Sequence, residues 1–450
     1  MVTSNTSPIT KAVPFTHEHF LLGSYKEFLQ DRMDFLPRLA QQGDVMGFHI
    51  GPVPMLLFNK AEYAHYVLVE HADDFSKGRL MRKAVGNNGL FVSEGAFHRR
   101  QHKLIAPVFQ PRHIVSYADT IVSYAGRVMQ EWENGAIIDI NKYMIRFTMS
   151  IIGKVLFDTD FLSETDDLGS AINIGLAHAV RTLTTPFTLP LNIPTPHNRH
   201  VRQATQLVEA RLRQMIEERR QNPGERNDLL SLLLQARDED GQPMSERQLI
   251  DECMTVFTAG HETTAAALAW TWYLLCTHPE CYQKLQQEVD QELQGRLPTY
   301  TNLPRLSYCL QVFKETMRIY PPAPGILREA LHDLVIDGYK VPKGATLMIS
   351  PYTLHRRSDA FPDPEQFQPE RFTPQQEKLL PRSAYIPFSD GPRICIGNHF
   401  ALMEGQLLIA AIVQRYSFRL VPGQHIVPDI AHNLALRPGG KVEVVVSTRT

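Results

Sequence analysis

The sequence predicts a mainly α-helical protein that carries small antiparallel β-sheets. Three observations lead there. Apolar residues recur at helical spacing through most of the chain, as from Leu207 to Arg220 and at Phe400, Leu407, Leu408, Ala411 and Ile412 within Gly397 to Tyr416. Strand signals are confined to short stretches. Val45 to Ile50 and Met55 to Phe58 flank Gly51-Pro52, and Leu334 to Ile336 and Tyr339 to Val341 flank Asp337-Gly338, a two-residue hairpin signal. β-Branched residues then return at Val442 to Val446. The β-rich portions therefore fall near 40–60 and 334–350, with a helical remainder.

Composition sets the bounds. A length of 450 residues gives a prior of about three domains. No Gly/Ser linker or fixed-period repeat divides the chain. The 46 Lys+Arg and 48 Asp+Glu leave a net charge of -2, which argues against a nucleic-acid binder. Apolar residues at 43% and charged residues at 21% exclude a disordered chain. Five scattered cysteines form neither a disulfide framework nor a CxxC zinc pattern. Residues 1–30 lack the apolar run of a signal peptide or spanning helix, so the expectation is a cytoplasmic protein with no membrane anchor.

One helix stands out by length. Ser245-Glu246-Arg247-Gln248 has the form of a capping box, and the helical pattern then runs to about Cys276, before His278-Pro279. More than thirty residues at 1.5 Å each span on the order of 50 Å, the width of the molecule. Near the centre stands Ala259-Gly260-His261-Glu262-Thr263-Thr264, an unusual place for a glycine, a charge and two β-branched residues. The zinc-protease pattern HExxH fails because position 265 is Ala. A bland reading is a local helix defect. The chemical reading is that Gly260 lets a flat group approach the backbone. Thr263 would bond back to a carbonyl one turn earlier, and Glu262 would supply protons.

The second constellation is Phe388-Ser-Asp-Gly391-Pro-Arg393-Ile-Cys395-Ile-Gly397. A lone cysteine is most often a small buried apolar residue. Here it sits between glycines in a loop that opens into a helix, where free amides and the dipole favour a thiolate. Such a thiolate could be a nucleophile or a metal ligand. No base signature accompanies it, and a ligand to one iron needs none.

Read as F-x-x-G-x-R-x-C-x-G, this segment resembles the heme-binding loop of the cytochrome P-450 monooxygenases. Further family patterns follow in order: Glu315 and Arg318 as E-x-x-R, Pro369-Glu370-Arg371-Phe372 as the later P-E-R-F, and Ala259 to Thr264 as the oxygen-activation segment. The resemblance implies the cytochrome P-450 fold over residues 1–450 as one domain, heme b (iron protoporphyrin IX) as cofactor, and Cys395 as the iron ligand. It implies catalytic roles for Glu262 and Thr263, with Ala259, Phe388 and Gly397 against the cofactor. Arg371 would join Glu315 and Arg318 in a buried structural network. One departure concerns the family pattern W-x-x-x-R, where this chain has His98 and His102. A histidine can donate to a carboxylate, so these two, with Arg328 and Arg393, are expected to contact the heme propionates. As a zinc pair they lack a third ligand nearby.

The implied reaction is insertion of one oxygen atom from O2 into a C–H bond of a hydrophobic small molecule such as a fatty acid or terpenoid. A heme-thiolate peroxygenase or isomerase and a heme sensor are the rivals, and Glu262-Thr263 counts against the first. No GxGxxG and no GxxxxGK[ST] occurs, so electrons are expected from a separate ferredoxin or flavodoxin with its reductase. Arg99, Arg100 and Lys103 are either a solvated face or the dock for that acidic donor. By family position Lys83–Phe91, Thr182–Pro196, Phe257, Ile326-Leu327 and Asn433-Leu434 line the substrate cavity, with the Pro-rich stretch from Pro186 to Pro194 as a lid or a rigid connector.

Overall fold

A computed structural model describes residues 10–16, 22–30, 32–160, 165–185, 188–222, 228–430 and 434–449. In chain order the helices are α1 (Tyr25–Gln30), α2 (Arg32–Gln42), α3 (Ala61–His65), α4 (Gly78–Val85), α5 (Gly95–Ile105), α6 (Pro111–Met129), α7 (Ile140–Phe157) and α8 (Thr165–Thr184). There follow α9 (Pro196–Gln221), α10 (Leu229–Gln235), α11 (Glu246–Thr277), α12 (Pro279–Leu293), α13 (Ser307–Ile319), α14 (Pro351–Leu354), α15 (Pro374–Glu377) and α16 (Asn398–Arg415). The strands are β1 (Val45–Ile50), β2 (Val53–Phe58), β3 (Phe75–Ser76), β4 (Ile137–Asp139), β5 (Ile326–Ala330) and β6 (Leu334–Ile336). The rest are β7 (Tyr339–Val341), β8 (Thr346–Ile349), β9 (Tyr416–Leu420), β10 (Pro428–Asp429), β11 (Arg437–Pro438) and β12 (Glu443–Thr448).

The two β-rich portions meet in one sheet, ordered β1-β2-β8-β5-β3, while β6 and β7 pair apart from it. Its pairs are antiparallel except β2 with β8, which run parallel in the register Met55 to Thr346. A parallel pair needs a long crossover, and α3 to α13 lie between these strands. The hairpin of β6 and β7 turns on Asp337 and Gly338, both at positive φ (49° and 82°), as this turn requires. Tyr63 fixes that turn by donating to Asp337 Oδ2 at 2.7 Å.

The helical layers bury a contiguous apolar core reaching from Leu104 to Val446, with α11 through its middle. Ser245 and Gln248 cap that helix reciprocally, and it ends at His278 before Pro279. From Ala265 to Trp272 every residue of it is buried, as in a helix that runs through a core. Trp270 and Trp272 are fully buried, and Trp270 Nε1 donates to Leu436 O at 3.0 Å. Gly260 has a different use from the one its sequence suggests. A Cβ there would stand 2.8 Å from Ile152 Cδ1, so the missing side chain seats α11 against α7 rather than clearing space for a flat group. Among the described residues no helix is long and apolar enough to cross a membrane.

Within α13, Arg318 and Glu315 pair at 2.7 Å with both side chains at 0% exposure. Arg318 also donates to the carbonyls of His355, Pro364 and Gln366. Glu315 accepts from Gln368 N and faces Arg371 Nε at 3.5 Å. His355 Nε2 accepts from Ile386 N at 2.9 Å. This network ties α13 to the segment that leads into the cysteine loop.

Candidate active site

The loop before α16 is held at several points. Asp390 accepts from Ser383 Oγ at 2.6 Å and from Gly391 N at 2.8 Å, and Ser383 Oγ lies 3.0 Å from His65 Nδ1. Gly391 has φ 67° and passes so close to the turn at Leu68 that a Cβ would stand 2.0 Å from Leu68 O. Only glycine fits there. Cys395 N then donates to Phe388 O at 2.9 Å, closing the loop. Cys395 is accessible although protein atoms surround it on most sides. Burial pushes its pKa up, while the Gly397 amide and the charge of Lys77 pull it down. Gly397 thus acts through its backbone N–H.

A group of cations gathers beside this thiol. Arg328 of β5 is buried and held below its usual range, at about 10, by burial and by Arg393. Its Nη1 donates to Leu327 O at 2.9 Å, whereas buried Nη2 has no partner among the described residues. Arg393 donates to Ser93 O at 2.6 Å and pairs with Glu94. Lys77, between β3 and α4, is held well below its usual range by burial and by Arg328 and Arg393, and its Nζ lies 4.5 Å from the Phe91 ring. His98 and His102 share a face of α5, with rings 5.9 Å apart. Burial and then Arg393 push His98 down to about 4, and the same causes lower His102. Both are therefore neutral near pH 7, each with one N–H to donate. Among the described residues no cluster of three or more metal-ligating side chains accompanies them. Arg328, Arg393 and Lys77 share one nearby carboxylate, Glu94, which is hydrogen-bonded to the Arg393 guanidinium and to the Lys77 backbone N–H, and this buried positive excess is costly without an anionic guest.

Across from these groups in sequence, the centre of α11 borders a cavity of about 520 Å³. Ala259, Glu262, Thr263 and Phe257 line it. Thr263 Oγ1 donates to Ala259 O at 2.7 Å, the back-bond its position predicts, and α11 continues through it as an unbroken helix. Glu262 is buried and stands 3.3 Å from Arg437 Nη2 of β11. Burial raises its pKa against the pull of Arg437 and the amides of Ala435 and Leu434.

The cavity wall matches much of the expected lining. Lys83 to Asn87 and Phe91, Thr182 to Thr185, Leu191, Leu327 and Leu434 border it. Ile326 does not, because alternate residues of β5 face opposite ways and Ile326 packs into the core behind the sheet. Asn433, Pro186 and Phe187 lie outside the described residues. The basic face of α5 is largely spent within the molecule: Arg100 pairs with Asp238 at 2.8 Å and Lys103 with Glu239 at 2.5 Å. Exposed Arg99 has no partner among the described residues. Sequence reasoning missed Lys77 and Arg437, which carry no motif or periodicity and become visible only when the chain folds them beside Cys395 and Glu262.

Residues 9–444 match the family described as Cytochrome P450. Cyclooctatin synthase of Streptomyces melanosporofaciens is 34% identical over 411 residues, 90% of each chain. Cyclooctat-9-en-7-ol 5-monooxygenase of the same organism is 33% identical over 90% of this chain and 88% of its own. The pentalenene oxygenase of Streptomyces avermitilis is 29% identical, over 91% of each chain. Among solved structures, the retinoic acid-bound cyanobacterial CYP120A1 superposes with a TM-score of 0.88 at 26% identity, covering 98% of this chain and 100% of its own.

Proposed function

The chain belongs to the cytochrome P450 family, and from that membership we propose how its own residues run the family's reaction. Members bind heme b and take O2, a hydrophobic substrate and electrons from a redox partner. This chain is accordingly a heme-dependent monooxygenase. When bound, heme supplies oxygen activation and C–H hydroxylation, and a thiolate ligand favours O–O cleavage.

The observation that carries the site assignment is the buried positive excess beside an accessible, deeply set thiol. The residues present fit heme b. Its two propionates would satisfy the excess charge of Lys77, Arg328 and Arg393 and give Arg328 Nη2 its missing acceptor. His98 and His102 would add neutral donors. Cys395 would ligate iron, its thiolate stabilised by the Gly397 amide and by Lys77, with Phe388 and Ala259 against the cofactor. Residues 1–450 act as one domain in this reading.

Each turnover consumes one O2, two electrons and two protons, and yields one hydroxylated product and one water. The protons are the work of Glu262 and Thr263. Successive helical residues point about 100° apart, so the carboxyl does not reach the hydroxyl directly. Both line one cavity, and water within it links them. With its proton committed to Ala259 O, the Thr263 oxygen is left as an acceptor on the cavity side, where it holds the next donor in place. Glu262, raised by burial, takes up and releases a proton against the fixed charge of Arg437.

The apolar wall selects a hydrophobic molecule, a fatty acid or a terpenoid, and the relatives named for cyclooctat-9-en-7-ol and pentalenene support the terpenoid choice. Electrons come from a separate ferredoxin or flavodoxin with its reductase, in the cytoplasm. The test is direct. Cys395→Ala is expected to abolish the thiolate signature of the reduced carbon monoxide complex, and a retained signature sinks the ligand assignment. In Thr263→Ala, product per electron pair is expected to fall at least about tenfold, within the usual range for a proton-transfer group. Tightly coupled turnover in that variant would refute its role.

A further inference from the structure

One stretch of the cavity wall departs from its apolar character, where α4, α8 and the start of α9 meet. Lys83 and His178 both line the cavity there. His178 Nδ1 lies 3.2 Å from Nε2 of His197, and the rings are 5.4 Å apart. Lys83 Nζ donates to a neutral group, Thr188 Oγ1, at 3.0 Å, and forms no ion pair among the described residues.

The charges acting on the two imidazoles are of one sign. After burial, the charges acting on His178 are His197, Arg181 and Lys83, and those acting on His197 are Arg181 and His200. Each pushes the imidazoles toward neutrality, and no carboxylate is among them. His197 also stands in the first turn of a 26-residue helix, where unpaired amides add positive potential. Elsewhere on the same wall the arrangement is the reverse. Arg247 is neutralised by Glu209 at 2.7 Å and by Asp251 at 2.8 Å. Lys83 is exposed at the edge of the cavity, so its ammonium is open to an anionic group of a ligand that enters there.

We propose that Lys83 and His178 bind the carboxylate of the substrate, so that the enzyme's hydrophobic substrate is an apolar acid anchored by its charged end. The ammonium and the imidazole N–H supply two donors for the two oxygens of one carboxylate, and His197 accepts or donates at the other ring nitrogen of His178 to fix its tautomer. The apolar body fills the remainder of the cavity toward Thr263. This inference rests on the hydrophobic-substrate reading above.

The test uses the heme-loaded protein and three probes of one chain length: hexadecanoate, its methyl ester and hexadecylamine, each titrated by equilibrium dialysis. The acid is expected to bind at least about tenfold tighter than the ester, the scale of a charge-assisted hydrogen bond. Lys83→Met combined with His178→Leu should bring the acid down to the ester's affinity, and Lys83→Glu should turn the preference toward the amine. Equal binding of acid and ester by the unaltered protein, or an acid preference that survives the double variant, overturns the proposal. The carbon monoxide signature is recorded on the same samples. An intact signature without acid preference refutes the carboxylate site alone, whereas its absence from the unaltered protein refutes the heme-thiolate reading beneath it.

Discussion

The ground beneath the cysteine loop and the wall around the cavity are held by opposite means. Under the loop, Glu315 and Arg318 are fully buried charges, and the guanidinium's donors are directed at Glu315 and three backbone carbonyls. Around the cavity the contacts are mainly apolar, and its connector Thr188–Thr195 shows Leu189 and Ile193 to solvent at 58% and 40%. The first arrangement admits one geometry, because each broken bond strands a buried charge. The second tolerates many, because apolar contacts are non-directional. A monooxygenase needs both: one fixed seat for its thiol, and a wall that can be reshaped for different substrates.

The sharpest way to break that comparison is Arg318→Ala. It leaves the Glu315 carboxylate buried with only Gln368 N and the guanidinium of Arg371 beside it, so a loss of about 3–5 kcal/mol in unfolding free energy is expected. Weakened heme retention should accompany it, since the network leads through His355 and Ile386 into the loop. Denaturant unfolding measures this. A loss below about 1 kcal/mol would mean that the ground beneath the loop is no more specified than the wall.

A smaller effect is expected where the two regimes meet. The segment Asn88–Leu90 is pinned to α11 by Asp251, which accepts from Asn88 N at 3.2 Å, and by Glu252, which accepts from Leu90 N at 2.8 Å. Gly89 between them passes so close that a Cβ would meet Thr255 Oγ1 at 2.0 Å. Burial pushes Glu252 up to about 7 from the usual 4.5. Between those values the folded protein keeps a proton that the unfolded chain has released, so this group lowers stability as pH rises through that window. Glu252→Gln keeps an acceptor for Leu90 N and removes the titration. Its unfolding free energy should therefore gain on the unaltered protein from pH 5 to pH 8, by up to about 3 kcal/mol for a shift of this size. Parallel pH profiles for the two proteins would show that Glu252 titrates normally.

What the sequence made legible divides along the same line. The cysteine loop, the Glu315–Arg318–Arg371 network and the capped central helix were readable because directional chemistry needs fixed residue types at fixed spacings. Thr263 and its bond to Ala259 followed from helical geometry alone. Lys77 and Arg437 were not readable, since a long flexible cation leaves no periodic trace and its partner lies far off in sequence. Gly260 was misread for a related reason: a missing Cβ states that something comes close, and only the fold says that it is Ile152. The neutralisation of Arg100 and Lys103 by Asp238 and Glu239 was hidden in the same way.

The finest test lies inside the connector itself. Its backbone is ordered by one buried side chain, since Asn198 Nδ2 donates to both Pro190 O and Ile193 O at 2.9 Å. The connector's own apolar side chains contribute little, because exposed Leu189 and Ile193 remove little surface from water. Asn198→Ala should therefore cost about 1–2 kcal/mol, from two lost bonds and the carbonyls they leave. Ile193→Ser should stay within about 0.5 kcal/mol. Thermal unfolding of the two variants side by side decides it. If Ile193→Ser proves the more costly, the connector is a packed element whose shape is as fixed as the loop beneath Cys395. If the predicted order holds, a single polar anchor sets the path of the chain over the cavity. The residues along that path are then free to change with the substrate while the seat of the thiol stays as it is.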